Sequence, residues 1–227
     1  MIVWVAGVGR SAAVLQARVA GIGDPADNAF WSLPGHGDEP FIPEIGLRSW
    51  ANALAGFIRR IPRPEREVHV IGESLGGTVA LALAGLVPQL RSIVLVDAPL
   101  TMAKQWALQA HLQVIGQREN PRNDLFYAMI EALFGILPSG GQAERNYYPL
   151  LDGLRGLPLR ACAFCSDLPL WPCTNRPLDP LPSTNDEIDH YQLRRAGVEV
   201  RLISGPHNLL DVSTEACKSA IQEWLAA

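Results

Sequence analysis

A serine hydroxyl attacks efficiently near neutral pH only when a positioned base takes its proton. Ser74 stands in Gly72-Glu73-Ser74-Leu75-Gly76-Gly77, a G-x-S-x-G pattern between the apolar run 68–72 and the apolar stretch 75–86. A strand running into a helix through so tight a turn would lift the serine above the sheet, and side chains at Gly72 or Gly76 would crowd it. His207, in Gly205-Pro206-His207-Asn208, follows the last apolar run and is expected to be the general base. Asp167, in Phe164-Cys165-Ser166-Asp167, ends the preceding run and is expected to orient the imidazole. Asp97, closing Val94-Leu95-Val96-Asp97, is the alternative acid. Asp167 is preferred because it lies between serine and histidine, on the strand adjacent in sequence to the histidine strand.

The elements that must position these residues are legible as alternating runs. Strands are expected at 2–6, 29–33, 68–72, 92–96, 159–165 and 198–203, and helices at 11–20, 47–60, 75–86 and 213–225. Strands alternating with helices imply a three-layer α/β/α sandwich around a mostly parallel six-stranded sheet. The interval 98–157 has no convincing strand and suits two helical stretches, 103–115 and 124–137. It is expected to form a helical lid inserted after the fourth strand of a single domain spanning 1–227. Trp106, Phe126 and Tyr127 of the lid, with Leu168 and Trp171 beyond Asp167, are expected to line a partly apolar substrate pocket. Thr184-Asn185-Asp186-Glu187 reads as a capping box opening a helix that contains His190.

With Leu33-Pro34-Gly35-His36-Gly37 and Val94-Leu95-Val96-Asp97-Ala98-Pro99 added to the serine and histidine motifs, the chain resembles the α/β-hydrolase-fold serine hydrolases. The resemblance implies that the first strand here corresponds to the third strand of a full-length member, the usual N-terminal strands being absent. It also implies an oxyanion hole from the backbone N–H groups of Val8 and Leu75. Many relatives carry His-Gly where this chain has Ala6-Gly7. The implied activity is cleavage of a small-molecule carboxylic ester or thioester, including carrier-linked acyl groups, through an acyl-enzyme with no metal or organic cofactor. Carbon–carbon hydrolases and lyases share the scaffold, as would a non-catalytic binding module.

Gly7-Val8-Gly9-Arg10-Ser11-Ala12 supports a rival of another class, a dinucleotide-binding oxidoreductase. That reading wants an acidic residue at the end of the second strand, where this chain has Ser32-Leu33. The 227 residues carry 19 basic and 23 acidic side chains, a formal charge of −4, which argues against nucleic acid as partner. No uncharged run reaches the ~20 residues of a membrane helix, and the apolar start lacks the basic residues of a signal peptide. Cys162 and Cys165 fall three apart on one expected strand, hence on opposite faces, and read as buried structural thiols. A reducing, cytoplasmic setting is expected.

Overall fold

All six expected apolar runs form strands in the computed structural model, which describes residues 1–62, 65–101, 128–135, 143–169 and 180–227. The strands are β1 (Ile2–Val5), β2 (Asn28–Trp31), β3 (Val68–Glu73), β4 (Leu90–Val96), β5 (Arg160–Ser166) and β6 (Glu199–Ile203). They pair in the order β2-β1-β3-β4-β5-β6, every pair parallel. The main helices are α1 (Ala12–Arg18), α2 (Leu47–Arg60) and α3 (Leu75–Ala82). After them come α4 (Pro149–Asp152), α5 (Glu187–Arg195), α6 (Leu209–Val212) and α7 (Thr214–Ala226).

A parallel sheet must be covered on both faces, and the strand alternation sorts the core accordingly. Val3, Val5, Ile93, Leu95, Ala163 and Cys165 point to the side of α2 and α3, where Trp50, Leu54 and Val79 are buried. Trp4, Val94, Val96, Cys162 and Phe164 point to the other side, against Leu15 of α1 and Ile221 and Trp224 of α7. Cys162 and Cys165 therefore lie on opposite faces, as a spacing of three on a strand requires. Helix α3 is buried from Leu75 through Leu81, and that is why its sequence is apolar on all sides.

The part of 98–157 that is described belongs to this same core. A π-helical turn, Ile130–Phe134, buries Ile130, Leu133 and Phe134 in the cluster that holds α3, and Leu151 of α4 joins them. Thr101 bridges Asn146 across the base of the interval. The expected lid helix 103–115 and residues 124–127 and 136–137 of the second expected helix lie outside the described residues.

One local expectation is corrected. The box that opens α5 is set by Asp186, whose carboxylate accepts from Ile188 and Asp189 N–H while Asp189 reaches back to the Asp186 N–H. Thr184 is released from that duty because it serves Asp97.

The turn between β3 and α3 leaves no room for side chains. A Cβ at Gly72 would come 2.4 Å from the Gly76 carbonyl oxygen, and one at Gly76 would come 2.5 Å from that of Ala6. Overpacking of this kind costs about 1–3 kcal/mol. Gly72→Ala is accordingly expected to lower the urea-unfolding free energy by that amount, and an unchanged midpoint would show that the turn has slack.

Candidate active site

Each strand of this sheet ends at the same edge, and the candidate residues collect there, as ligands and reactive groups do in open parallel sheets. Ser74 occupies the β3–α3 turn with φ 50° and ψ −128°, a conformation that L-residues rarely adopt. It is held by its own backbone: the Ser74 N–H donates to Val96 O at 2.8 Å, and its carbonyl accepts from Gly77 N–H at 2.8 Å. Its side chain remains partly exposed, while Leu75 behind it is fully buried.

His207 reaches back from the loop after β6. Its Nε2 lies 3.0 Å from Ser74 Oγ and its Nδ1 2.7 Å from Asp97 Oδ2. In the neutral tautomer protonated at Nδ1, which a neighbouring carboxylate favours, the Nε2 lone pair would face the serine hydroxyl. The loop is anchored by the His207 N–H donating to Leu181 O at 2.8 Å.

Asp97 follows β4 and has no solvent exposure. Its φ of 46° turns the chain off the strand, and its N–H donates to Phe164 O at 2.8 Å. Among the described residues, Ser74 and Asp97 are the two non-glycine positions with positive φ. The carboxylate is surrounded by donors. Oδ1 accepts from Ser166 N–H at 3.0 Å, Ser183 Oγ at 2.7 Å and Asn185 Nδ2 at 3.4 Å, and Oδ2 accepts from Thr184 N–H at 3.0 Å. Burial pushes this carboxyl up, but His207, Thr184 and Ser183 more than offset it, leaving Asp97 below the ordinary aspartate value.

The carboxylate beside His207 is thus Asp97 and not Asp167. Asp167 is exposed, and its Oδ1 accepts from the Gly205 N–H at 2.9 Å, which ties off the turn after β6. The reason lies in the sheet. Chain order puts Asp167 nearest the histidine, but spatial order makes β4 the neighbour of β3, and the His207 loop crosses β5 to reach it. Of the wall around Asp97, Ser183 carries no expectation from the sequence, and Thr184 and Asn185 carry one only as part of a capping box. Their signal is modest: three small hydrogen-bonding residues in a row after a proline-rich stretch.

Of the two expected oxyanion donors, Leu75 follows the serine in the chain and Val8 follows Gly7, which approaches it from β1. Leu75 opens α3, so its N–H belongs to the first turn, which has no intrahelical acceptor. Val8 lies in the turn closed by Arg10 N–H donating to Gly7 O at 3.3 Å. A Cβ at Gly7 would come 3.1 Å from Ser74 Cβ, and Gly9 has φ +77°. The first glycine thus admits the serine and the second makes the turn, which accounts for the G-x-G spacing without a dinucleotide. At the end of β2, Ser32 Oγ accepts from the Ala12 N–H at 2.7 Å.

Glu73 and Arg10 form a second polar group under the serine. Arg10 Nε lies 2.6 Å from Glu73 Oε2, and its Nη1 and Nη2 donate to the two Asp211 carboxylate oxygens at 3.1 and 2.6 Å. Arg18 Nε meets Asp211 Oδ1 at 2.9 Å from the other side. Burial raises the Glu73 carboxyl above its ordinary value, while Arg10 and His207 pull it back.

Of the expected pocket residues, Trp106, Phe126, Tyr127 and Trp171 lie outside the described residues. Leu168 is half-buried and borders a cleft of about 520 Å³ with Asp167, His190 and Leu202; neither Ser74 nor His207 lines it. His36 orders its own turn, with Nδ1 3.2 Å from Pro34 O and its ring edge-on to Trp50. Among the described residues, no helix is long and apolar enough to cross a membrane.

Comparison with known proteins places the fold. The chain is similar to an esterase from Mycobacterium tuberculosis, with 17% identity, a TM-score of 0.65, and coverage of 100% of this chain and 84% of that one. It is similar to a lipase-esterase related protein from Clostridium acetobutylicum, with 18% identity, a TM-score of 0.65, and coverage of 98% and 93%. A thermophilic esterase from Thermogutta terrifontis matches with 16% identity, a TM-score of 0.62, and coverage of 99% and 89%. No curated protein matches the sequence at a significant level. The family model for the alpha/beta hydrolase family matches residues 2–219, nearly the whole chain, and this protein belongs to that family.

Proposed function

We propose that the protein is a serine hydrolase that cleaves carboxylic esters or thioesters through an acyl-enzyme on Ser74. The observation that carries this reading is the unbroken row Asp97–His207–Ser74, at 2.7 and 3.0 Å, at the carboxyl edge of the sheet. Esterases among the similar folds support the substrate class.

In the first step His207 Nε2 takes the hydroxyl proton as Ser74 Oγ attacks the acyl carbonyl. The carbonyl π electrons move to oxygen, where the Val8 and Leu75 N–H groups receive the developing charge. Asp97 holds the imidazole in the productive tautomer and stabilises the imidazolium. Collapse breaks the bond to the alcohol or thiol, which leaves with the proton from His207. A water molecule, deprotonated by His207, then attacks the acyl-enzyme, and a second collapse returns the acid and free Ser74. No step calls for a metal or an organic cofactor, and a carrier-linked thioester would follow the same sequence.

Turnover of p-nitrophenyl acetate and an acyl thioester tests this assignment. Ser74→Ala is expected to lose at least about 10³-fold in kcat, and Asp97→Asn a comparable amount through the wrong imidazole tautomer. Asp167→Asn is expected to stay within about fivefold of wild type, in keeping with a surface turn contact. Full activity in Ser74→Ala would remove the nucleophile, and a severe loss confined to Asp167→Asn would restore that residue as the acid.

The charge on Asp97 also predicts a pH dependence of stability. A carboxyl titrating lower in the folded chain than in the unfolded one stabilises the fold fully above the unfolded value, here 3.8, and loses this as pH falls through the folded value. Urea midpoints of the wild type are expected to fall more steeply from about pH 5 to 3 than those of Asp97→Asn. Parallel slopes would show that Asp97 is not preferentially charged in the fold.

A further inference from the structure

Arg10 joins three segments that each carry a different part of the proposed machinery. Its own backbone closes the turn that presents Val8. Its guanidinium pairs with Glu73, the residue before Ser74, and forks onto Asp211 of α6, which begins two residues after His207. Glu73 is 6% exposed and Arg10 is itself largely buried, with 14% side-chain exposure. A planar guanidinium can satisfy two carboxylates at fixed angles, whereas an ammonium offers one compact charge.

We propose that Arg10 is a positioning residue that clamps the oxyanion turn, the nucleophile turn and the histidine loop into one register. The inference rests on the serine hydrolase reading above. Several features of the geometry favour this role over simple charge compensation. Glu73 alone could be neutralised by one cation, yet Arg10 spends two of its nitrogens on Asp211, 201 residues away in the chain. Asp211 has its own further partner in Arg18, so it does not need Arg10 for neutrality. Among the described residues, the four side chains, two cations and two carboxylates, make an electroneutral set in which Arg10 alone touches both carboxylates. Gly7, at the head of the same turn, packs against Ser74 Cβ, so any shift of the turn changes the distance between Val8 N–H and the reacting carbonyl. Displacements near 1 Å in such sites cost about 10²-fold in rate.

The test compares Arg10→Met, Arg10→Lys, Arg18→Ala and the double variant Arg10→Met/Glu73→Gln. Readouts are p-nitrophenyl acetate kinetics, melting temperature and Ser74 labelling by a fluorophosphonate. Arg10→Met is expected to lose about 10²-fold in kcat, like removal of an oxyanion donor, with KM within about threefold. Arg10→Lys should fall between it and wild type, and Arg18→Ala should stay within about threefold because it breaks only a half-exposed pair. The double variant removes the stranded buried carboxylate, so its melting temperature should recover while kcat stays low. Recovery of kcat together with melting temperature would reduce Arg10 to a counterion and overturn the clamp. So would wild-type kcat in folded Arg10→Met. Failure of the fluorophosphonate to label Ser74 in the wild type would instead overturn the hydrolase reading itself, and the clamp with it.

Discussion

A carboxylate with no access to water keeps its charge only if the protein supplies what water would have supplied. Asp97 is in that position, and the site is organised around meeting its demand. Three backbone or side-chain donors converge on one oxygen; a backbone N–H and the imidazole converge on the other. They come from the end of β5, from the segment 183–185 and from the loop after β6, so three separated stretches of chain are fixed by one anion. Removing a partner from such a buried charge leaves it uncompensated, which is far more damaging than losing a surface pair.

The same edge stores backbone strain. Ser74 and Asp97 both sit at positive φ, a state that costs about 1–3 kcal/mol for each residue and persists only where surroundings over-determine it. Here the surroundings are the strand ladders: Ser74 N–H is committed to β4 and Asp97 N–H to β5. Neighbouring parallel strands thus hold the two residues next to each other, and α3, buried along its length, keeps the serine from relaxing downward. The architecture explains why the helix is so apolar and the turn so rich in glycine.

Much of this was legible in the sequence, because its cause is local. Apolar runs at 68–72 and 92–96 are strands, the glycines around Ser74 leave space for a sharp turn, and the histidine after the last strand is the only one there. Asp97 was visible as an alternative but ranked second, because linear order says nothing of which strands become neighbours. Ser183 and Thr184 could not be recognised as its partners, since their function depends on a contact across 86 and 87 positions. The Glu73–Arg10–Asp211 set was hidden for the same reason: each charge is unremarkable until the fold brings all three beneath Ser74.

His207 Nδ1 lies 2.7 Å from Asp97 Oδ2, so the proposed row depends on a proton held between them. A proton shared between an imidazole and a buried carboxylate resonates far downfield, well apart from ordinary amides, so one-dimensional proton NMR reports it directly, with His207→Gln assigning the signal. The resonance is expected in the wild type and in Asp167→Asn and is expected to vanish in Asp97→Asn. Its survival in Asp97→Asn together with its loss in Asp167→Asn would place the imidazole proton on Asp167 instead.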